Sequence, residues 1–143
     1  MILSKKTSSS PIARTILSKK TSTPLRAYTV QIVNVTANVD AGQYADYQFI
    51  IPSNSSNIHV SGTFTVQGSS GSGIIVYIFD STNFYNYADG SYFGALYQSG
   101  QTTTASISSN LDSNGTYFLV LDNTFSTINQ TVNIQANATY FAP

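Results

Sequence analysis

From Tyr28 onward, apolar and polar residues alternate along most of the chain, which is the pattern of β-strands with one buried face. Two segments show the alternation without interruption. The apolar positions of the first are Ile58, Val60, Gly62, Phe64 and Val66. Those of the second are Val132, Ile134, Ala136, Ala138 and Tyr140. Each segment is predicted to be a strand with one face in a core and the other toward solvent.

Two further segments, 74–79 and 117–121, are apolar or aromatic at every position. Unbroken runs of this length are typical of strands that are covered on both faces. The turn pair Asn114-Gly115 precedes the second run, because both residues tolerate positive φ. Asp122-Asn123 ends it, and the ring of Phe125 is expected to fold back over the core.

The remaining strands are shorter or irregular. Residues 28–39 change face between Ile32 and Val33, which indicates a β-bulge or a strand that changes sheets. Residues 47–51 alternate until Pro52, residues 68–73 suggest a Gly-rich hairpin loop, and residues 80–100 a loop rich in aromatics. No helical periodicity is visible. The pattern predicts an all-β fold: a two-sheet antiparallel β-sandwich, jelly-roll-like, of seven to eight strands.

Charge divides the chain into two parts. All six Lys and Arg residues lie within the first 26 positions and all six acids are later Asp residues, so these parts carry +6 and −6. We therefore predict a basic arm at 1–27 and a β-sandwich domain at 28–143. The arm contains a tandem repeat, since residues 2–8 and 16–22 are identical. Its candidate contact residues are Lys5, Lys6, Arg14, Lys19, Lys20 and Arg26.

The composition of the chain bears on its domain number, its cross-links and its cellular location. The 143 residues suit one domain, and the absence of cysteine excludes disulfides and thiolate metal sites. Only 8% of residues are charged, which is more typical of extracellular or cell-surface β-proteins than of cytosolic enzymes. No apolar run approaches the roughly 18–20 residues of a membrane span, and no secretory segment is visible. The basic arm has two other interpretations, a solvated tail and an organellar transit peptide.

From about residue 44 to 140, the order of aromatics and glycines resembles the GOLD domain, the luminal β-sandwich of p24 cargo receptors, and its prokaryotic relatives. The matching residues are Tyr47-Gln-Phe49, Val60-Ser-Gly62-Thr-Phe64, Gly115-Thr-Tyr117 through Asp122-Asn123-Thr-Phe125-Ser126, and Val132. The resemblance implies a non-catalytic protein-interaction module. This chain lacks the cysteine pair, coiled coil and membrane anchor of p24 proteins, so cargo-adaptor function does not carry over.

Catalysis is not indicated. The chain has one His, no Cys and no Glu, so a Ser-His-Asp arrangement would have to use His59. His59 is predicted to be a surface imidazole without a role, because it lies on the polar side of a regular strand. The Asp residues fall at predicted strand ends and turns, where the side chain ordinarily bonds nearby backbone amides. No pattern for a metal or a cofactor is present.

The segment 84–97 is the most suggestive local feature, because six aromatic rings are interleaved with Asn and Asp. Its candidate contact residues are Phe84, Tyr85, Asn86, Tyr87, Asp89, Tyr92, Phe93 and Tyr97. Such a mixture suits glycan binding or protein contact. The structural alternative, slightly favoured, is that the rings cap the end of the sandwich over its core.

The first functional hypothesis is a non-enzymatic surface module for interaction or self-assembly. An exposed sheet edge accepts a strand from a partner, and the arm or the segment 28–39 could supply it. One alternative is a glycan-binding domain using the 84–97 aromatics, and five Asn-x-Ser/Thr sequons permit a glycosylated surface protein. The other is a virion coat protein, in which alone the basic arm would contact nucleic acid.

Overall fold

The computed structural model describes residues 23–68 and 72–143. This part of the chain forms eight strands and one helix. They are β1 Arg26–Val39, β2 Tyr44–Ile51, β3 Ser56–Gln67, β4 Ile75–Asp80, α1 Ser81–Ala88, β5 Tyr97–Gln98, β6 Thr104–Leu111, β7 Gly115–Asp122 and β8 Gln130–Ala142. The prediction of an all-β sandwich with seven to eight strands is confirmed.

The strands form two four-stranded antiparallel sheets. Sheet 1 has the order β1-β8-β3-β6 and sheet 2 the order β2-β7-β4-β5. Strands that follow one another along the chain mostly lie in different sheets, so the connections pass across the sandwich. This order is that of a jelly roll, in which two Greek keys are folded over a shared core.

The Gly-rich segment 68–73 is not the hairpin loop that the sequence suggested. It joins β3 to β4, which belong to different sheets, and residues 69–71 lie outside the described residues. At its end, Gly73 has φ +89°, and a Cβ there would lie 2.2 Å from the carbonyl oxygen of Thr102. The prediction failed because turn residues are similar whether the chain returns beside its own strand or crosses to another sheet.

The main core lies between the sheets, and both unbroken apolar runs are covered on both faces as predicted. In β7, Leu119 and Leu121 face sheet 1, whereas Phe118 and Val120 face the opposite side of sheet 2. The side chains of β4 alternate in the same way: Ile78 faces sheet 1, and the residues on either side of it face the opposite side of sheet 2. Sheet 2 is therefore the central layer of the domain.

The irregularity predicted at Ile32 is confirmed as a β-bulge. The pairing of β1 with β8 shifts between Gln31 and Val33, so Ile32 is the extra residue. The bulge explains why the buried side of the strand changes at this point, and β1 stays in sheet 1 throughout. The strand begins at Arg26, so the last two residues of the predicted arm already pair with β8.

The helix α1 corrects the prediction that residues 80–100 form a loop without helix. Asp80 caps its N-terminus, since an Asp80 carboxylate oxygen accepts a hydrogen bond from the backbone N–H of Asn83 at 2.8 Å. The helix has only eight residues, too few to show an apolar period. It forms because Phe84 is buried against the outer face of sheet 2.

The expectation for Phe125 is wrong, because its ring is 43% exposed. The fully buried side chain at this end of the sandwich is Asn123, two residues earlier. Its Nδ2 lies within hydrogen-bond distance of the carbonyl oxygens of Val39, Asp40 and Ile128. An amide fits here better than a ring because the space is lined by backbone carbonyls that require donors.

Candidate functional site

The rings of the 84–97 segment divide between packing and exposure. Phe84 stacks on Phe118 with ring centroids 4.0 Å apart. Tyr87 and Phe93 pack on Phe79 at 5.1 and 5.3 Å. These three rings cover the outer face of sheet 2. They therefore pack on a face of the sandwich, whereas the structural alternative expected them at its end.

The other candidate residues of this segment do not form a single surface. Tyr85 is 59% exposed and Tyr92 is 94% exposed, and Asp89 is also exposed. Asn86 is half-buried. Tyr97 lies in β5, packs against the core between the sheets, and donates a hydrogen bond to the Ser106 carbonyl at 3.1 Å.

A pocket of about 350 Å³ lies between the end of α1 and the end of β7. We call it the Asp122 pocket. Its lining residues are Tyr44, Tyr87, Ala88, Gly90, Ser91, Phe93, Asp122 and Thr124. The sequence predicted Tyr87 and Phe93 as contact residues, but it did not bring Tyr44, Asp122 and Thr124 to the same place, because they come from β2 and the end of β7.

Asp122 is the anionic group of this pocket and is only 5% exposed. Its Oδ1 accepts hydrogen bonds from the backbone N–H and the hydroxyl of Thr124, at 2.7 and 2.6 Å. The sequence predicted a turn Asp here, and the Thr124 contacts confirm that part. The sequence signal for this position is that Asp122 directly follows the apolar run 117–121, which is covered on both faces.

The hydroxyl of Tyr87 is buried beside the Asp122 carboxylate, and no hydrogen bond of good geometry joins it to another group in the described part of the chain. Burial, then the negative charge of Asp122 and the close approach of the hydroxyl to its carboxylate, raise the pKa of Tyr87 far above the ordinary value for tyrosine. Burial and then the same carboxylate also raise the pKa of Tyr77. A phenol in this position is neutral, and its oxygen can still accept a hydrogen bond from a ligand.

His59 has two polar neighbours that the sequence did not predict. Its Nδ1 lies 2.7 Å from Oδ1 of Asn110, and its Nε2 lies 3.3 Å from Oγ of Ser108. This order of groups is that of a nucleophile, a base and an orienting residue. The three side chains lie on the open outer face of sheet 1 and line neither the Asp122 pocket nor the groove described next.

The outer face of sheet 1 is polar and uncharged, because Arg26, the one charged residue of its four strands, is paired with the core residue Ala142 and so belongs to the opposite face. The pairing aligns its side chains in rows across the sheet. One such row is Asn34, Gln135, Thr63 and Ser106. An open groove of about 530 Å³ crosses this face at Thr36, Thr65 and Asn133. The face can form many hydrogen bonds but attracts neither cations nor anions.

The two edges of sheet 1 are long and almost uncharged. Edge strand β1 has 14 residues with Arg26 as its one charged residue, and edge strand β6 has eight residues and no charge. Neither contains proline. Natural edge strands are usually protected by lysines, prolines or bulges; here β1 has one bulge, and in β6 the Ser106 carbonyl accepts a hydrogen bond from Tyr97. Both edges therefore present backbone groups that can pair with another strand.

Of the predicted arm contacts, Arg26 is exposed at the start of β1. Lys5, Lys6, Arg14, Lys19 and Lys20 lie outside the described residues. Within residues 23–68 and 72–143, no group of three or more His, Cys, Asp or Glu side chains is placed to hold a metal ion. In the same ranges, no helix has the length and apolarity needed to cross a membrane.

No protein-family model matches the chain, and no curated protein matches it. Among solved structures, it is similar to a chain of Bacillus endospore appendages, described as a novel family of disulfide-linked pili. The TM-score is 0.52 at 14% identity, with 92% of this chain and 100% of that chain covered. A chain of the cyanophage Pam1 capsid asymmetric unit gives 0.44 at 14% identity, covering 92% and 94%. The first likeness supports the fold, and the second is too weak to support a conclusion.

Proposed function

We propose that this chain is a non-enzymatic structural subunit that assembles with copies of itself through the edges of sheet 1. One observation carries the proposal: the opposite edges of this sheet are the long, almost uncharged strands β1 and β6. Their unpaired backbone N–H and C=O groups gain partners when two edges meet. The uncharged outer face adds no repulsion between neighbouring copies.

The directions of the strands favour a continuous sheet. All neighbours in sheet 1 are antiparallel, so β1 and β6 also run in opposite directions. A copy displaced sideways therefore places its β1 antiparallel to β6 of the first copy. Each such contact leaves one edge of each type unpaired, which is a heterologous contact that continues into a filament or closes into a ring.

The similar chain from the Bacillus endospore appendages forms disulfide-linked pili. At 14% identity this likeness supports the fold only, and the assembly argument is based on the edges themselves. This chain contains no cysteine, so the proposed edge pairing does not use disulfides from these residues.

Light scattering after size exclusion tests the proposal on the full chain over a range of concentrations. We expect concentration-dependent assembly. The variant Asn34→Lys/Ser106→Lys places a charge on each edge strand and should reduce assembly. The control Thr65→Lys/Thr139→Lys adds the same charge to the same face on the inner strands β3 and β8, and should retain more assembly. A monomer at all concentrations, or equal loss in both variants, contradicts edge pairing.

The non-enzymatic part of the proposal has its own test at His59. The Ser108, His59 and Asn110 side chains lie on the outer face of sheet 1 and line neither the Asp122 pocket nor the groove on that face. Hydrolysis of p-nitrophenyl acetate should therefore be no faster with the protein than with His59→Ala. Faster turnover that is lost in both His59→Ala and Ser108→Ala would show an enzyme.

Binding of a neutral glycan is the second candidate function. The observation that favours it is the exposure of Tyr92 and Tyr85, which are 94% and 59% exposed near Asn86 and Asp89. Exposed rings beside amide and carboxylate groups can stack on sugars and bond their hydroxyls. Binding on a glycan array that is lost in Tyr92→Ala, with assembly unchanged, would support this function.

The coat-protein alternative depends on the basic arm, whose first 22 residues lie outside the described part of the chain. Its test is retention of nucleic acid by the purified full chain, with strong salt dependence. The GOLD-like resemblance and a location outside the cell or at its surface remain predictions.

A further inference from the structure

We infer that the Asp122 pocket binds a lysine side chain from the N-terminal arm of a second copy. The inference rests on the proposed self-assembly and deepens it, because it adds a contact at the ends of the sandwich to the contact at the edges. Four features of the molecule support it: the charge of the pocket, its hydrogen-bonding groups, the distance from the start of the arm, and the acids around it.

The first feature is a poorly hydrated carboxylate without a nearby cation. Asp122 is 5% exposed. Arg26 is the only Lys or Arg in the described part of the chain, and it pairs with Ala142 at the end of β1 that is remote from the pocket. Burying a charge costs free energy unless an opposite charge or several hydrogen bonds offset it. A cation in the pocket would provide that offset.

The second feature is a set of acceptors that suits an ammonium group. An ammonium has three donors and no acceptor. Asp122, Tyr87 and Ser91 all line the pocket, and the side chain of each has an oxygen that can accept a hydrogen bond. The rings of Tyr44 and Phe93 line the same space, and aromatic faces attract cations.

The acceptors favour lysine over arginine. A guanidinium binds a carboxylate best through two parallel hydrogen bonds, one to each oxygen. In Asp122, Oδ1 already accepts two hydrogen bonds from Thr124, at 2.7 and 2.6 Å. The carboxylate therefore has one oxygen to offer, which suits the compact charge of a lysine.

The third feature is distance, which favours a second copy as the source. β1 begins at Arg26 and ends at Val39, and the carbonyl of Val39 accepts from Asn123, the neighbour of Asp122. The pocket is thus at the far end of a strand about 40 Å long. Lys20 precedes Arg26 by six residues, which span at most about 20 Å. Lys19 and Lys20 therefore cannot reach the pocket of their own copy.

The fourth feature is the local charge. Asp89 adjoins two lining residues of the pocket, and the carbonyl oxygen of Asp40 lies 3.3 Å from Nδ2 of Asn123. Both carboxylates are exposed. With Asp122 they make this end of the sandwich acidic, which steers a basic arm toward it. An arm that leaves one end and binds at the opposite end of the next copy connects copies end to end.

Zero-length carbodiimide coupling tests the contact in the full chain. We would mix equal amounts of 14N- and 15N-labelled protein, couple carboxylates to amines, and identify the joined peptides by mass spectrometry. The expected product joins Asp122 to Lys19 or Lys20, and with equal amounts of the two proteins about half of it joins one partner of each isotope. Products of a single isotope only, or no product at Asp122, would overturn the inference.

A thermodynamic measurement accompanies it. Asp122→Asn keeps the shape and the Thr124 acceptor but removes the charge, and should lower the association constant at least about tenfold. Asp112→Asn removes an exposed charge in the β6–β7 turn and should have little effect. Lys5→Gln/Lys6→Gln/Lys19→Gln/Lys20→Gln should lower association similarly, and combining it with Asp122→Asn should add little.

The outcomes separate the inference from the proposed function. In one outcome the native chain and Asp122→Asn both assemble, but the edge variant does not. The pocket inference then fails while edge pairing stands. If the edge variant and its control assemble equally but Asp122→Asn does not assemble, edge pairing fails and the pocket contact stands. Thermal unfolding of each variant shows whether it is folded. If Asp122→Asn is destabilised, the mixed-isotope coupling of the native chain decides whether a lysine of a second copy contacts Asp122.

Discussion

The side chain of Asn123 joins three backbone segments at one end of the sandwich. It follows the last residue of β7 and is fully buried. Its side-chain nitrogen lies within hydrogen-bond distance of three backbone carbonyls: that of Val39 at the end of β1, that of Asp40 in the next turn, and that of Ile128 before β8. Its own backbone also pairs with Gln43 and Gly42. One polar residue therefore fixes the position of the turn between β1 and β2 and, with it, the rim of the Asp122 pocket.

Replacing this residue should weaken the fold. Asn123→Ala leaves the buried carbonyl of Val39 and the partly buried carbonyl of Ile128 without their donor, so we expect the free energy of unfolding to fall by about 1–3 kcal/mol. Urea unfolding of the full chain measures the change. The control Asn129→Ala removes one exposed hydrogen bond, to the N–H of Ala41, and should cost less than about 1 kcal/mol. Equal losses would contradict the special role of Asn123.

Tyr87 predicts how stability responds to alkaline pH. Because its pKa is raised on folding, the unfolded chain releases its proton near pH 10 while the folded chain keeps it. The contribution of protonated Tyr87 to the free energy of unfolding is therefore complete below about pH 10 and is lost as the pH rises above that value. Tyr87→Phe should lose less stability than the native chain above about pH 10. Identical curves of unfolding midpoint against pH would contradict this prediction.

At the scale of elements, α1 connects the aromatic segment to sheet 2. Its helical turn places Phe84 inward against Phe118 and leaves the adjacent Tyr85 mostly exposed. The helix thus covers the outer face of the central sheet, and the candidate ligand-binding rings become the minority of this segment. Packing explains why the segment contains so many aromatics.

Substitutions of neighbouring aromatics should separate these roles. Phe84→Ala removes a ring that is 7% exposed and stacked at 4.0 Å, so we expect a loss of about 3–5 kcal/mol. Tyr85→Ala, one position later in the same helix, should change stability by less than about 1 kcal/mol. Thermal unfolding compares the two. A small effect of Phe84→Ala would mean that α1 contributes little to the fold.

At the scale of the whole molecule, charge and edges act in different directions. Edges β1 and β6 face sideways, whereas Arg26, where the arm joins the sandwich, and the acidic end near Asp122 are at opposite ends of β1. Contacts of the two kinds would extend an assembly in two directions. They differ in their physical origin, since backbone pairing depends little on salt and contacts between exposed charges depend on it strongly.

Salt should therefore weaken the arm contact selectively. We expect the association constant of the full chain to fall several-fold as ionic strength rises from about 0.05 to 0.5 M, because the Debye length shortens. The four-lysine-to-glutamine variant should assemble less at low salt and lose most of this dependence. Light scattering across a salt series measures both. A native chain whose assembly is insensitive to salt would contradict steering of the arm by the exposed carboxylates Asp40 and Asp89, because a buried pair at Asp122 is screened much less.

The alternation of side chains determined much of this protein without further information. It predicted the two buried runs, the one-sided strands β3 and β8 and the bulge at Ile32, because strand period and burial are local properties of the sequence. Fold class follows from such patterns, since a chain of many short strands must pair them in sheets.

Only the tertiary structure decided which sheet each strand joins and what covers sheet 2. Turn residues do not record whether the chain returns or crosses, so the sequence after β3 fits a hairpin as well as a crossing to the other sheet. A helix as short as α1 is stabilised by the sheet beneath it rather than by its own sequence. The Asp122 pocket likewise exists because pairing brings Tyr44 opposite Asp122, 78 positions later, and α1 folds back toward them. Contacts between residues so distant in sequence leave no local pattern to read.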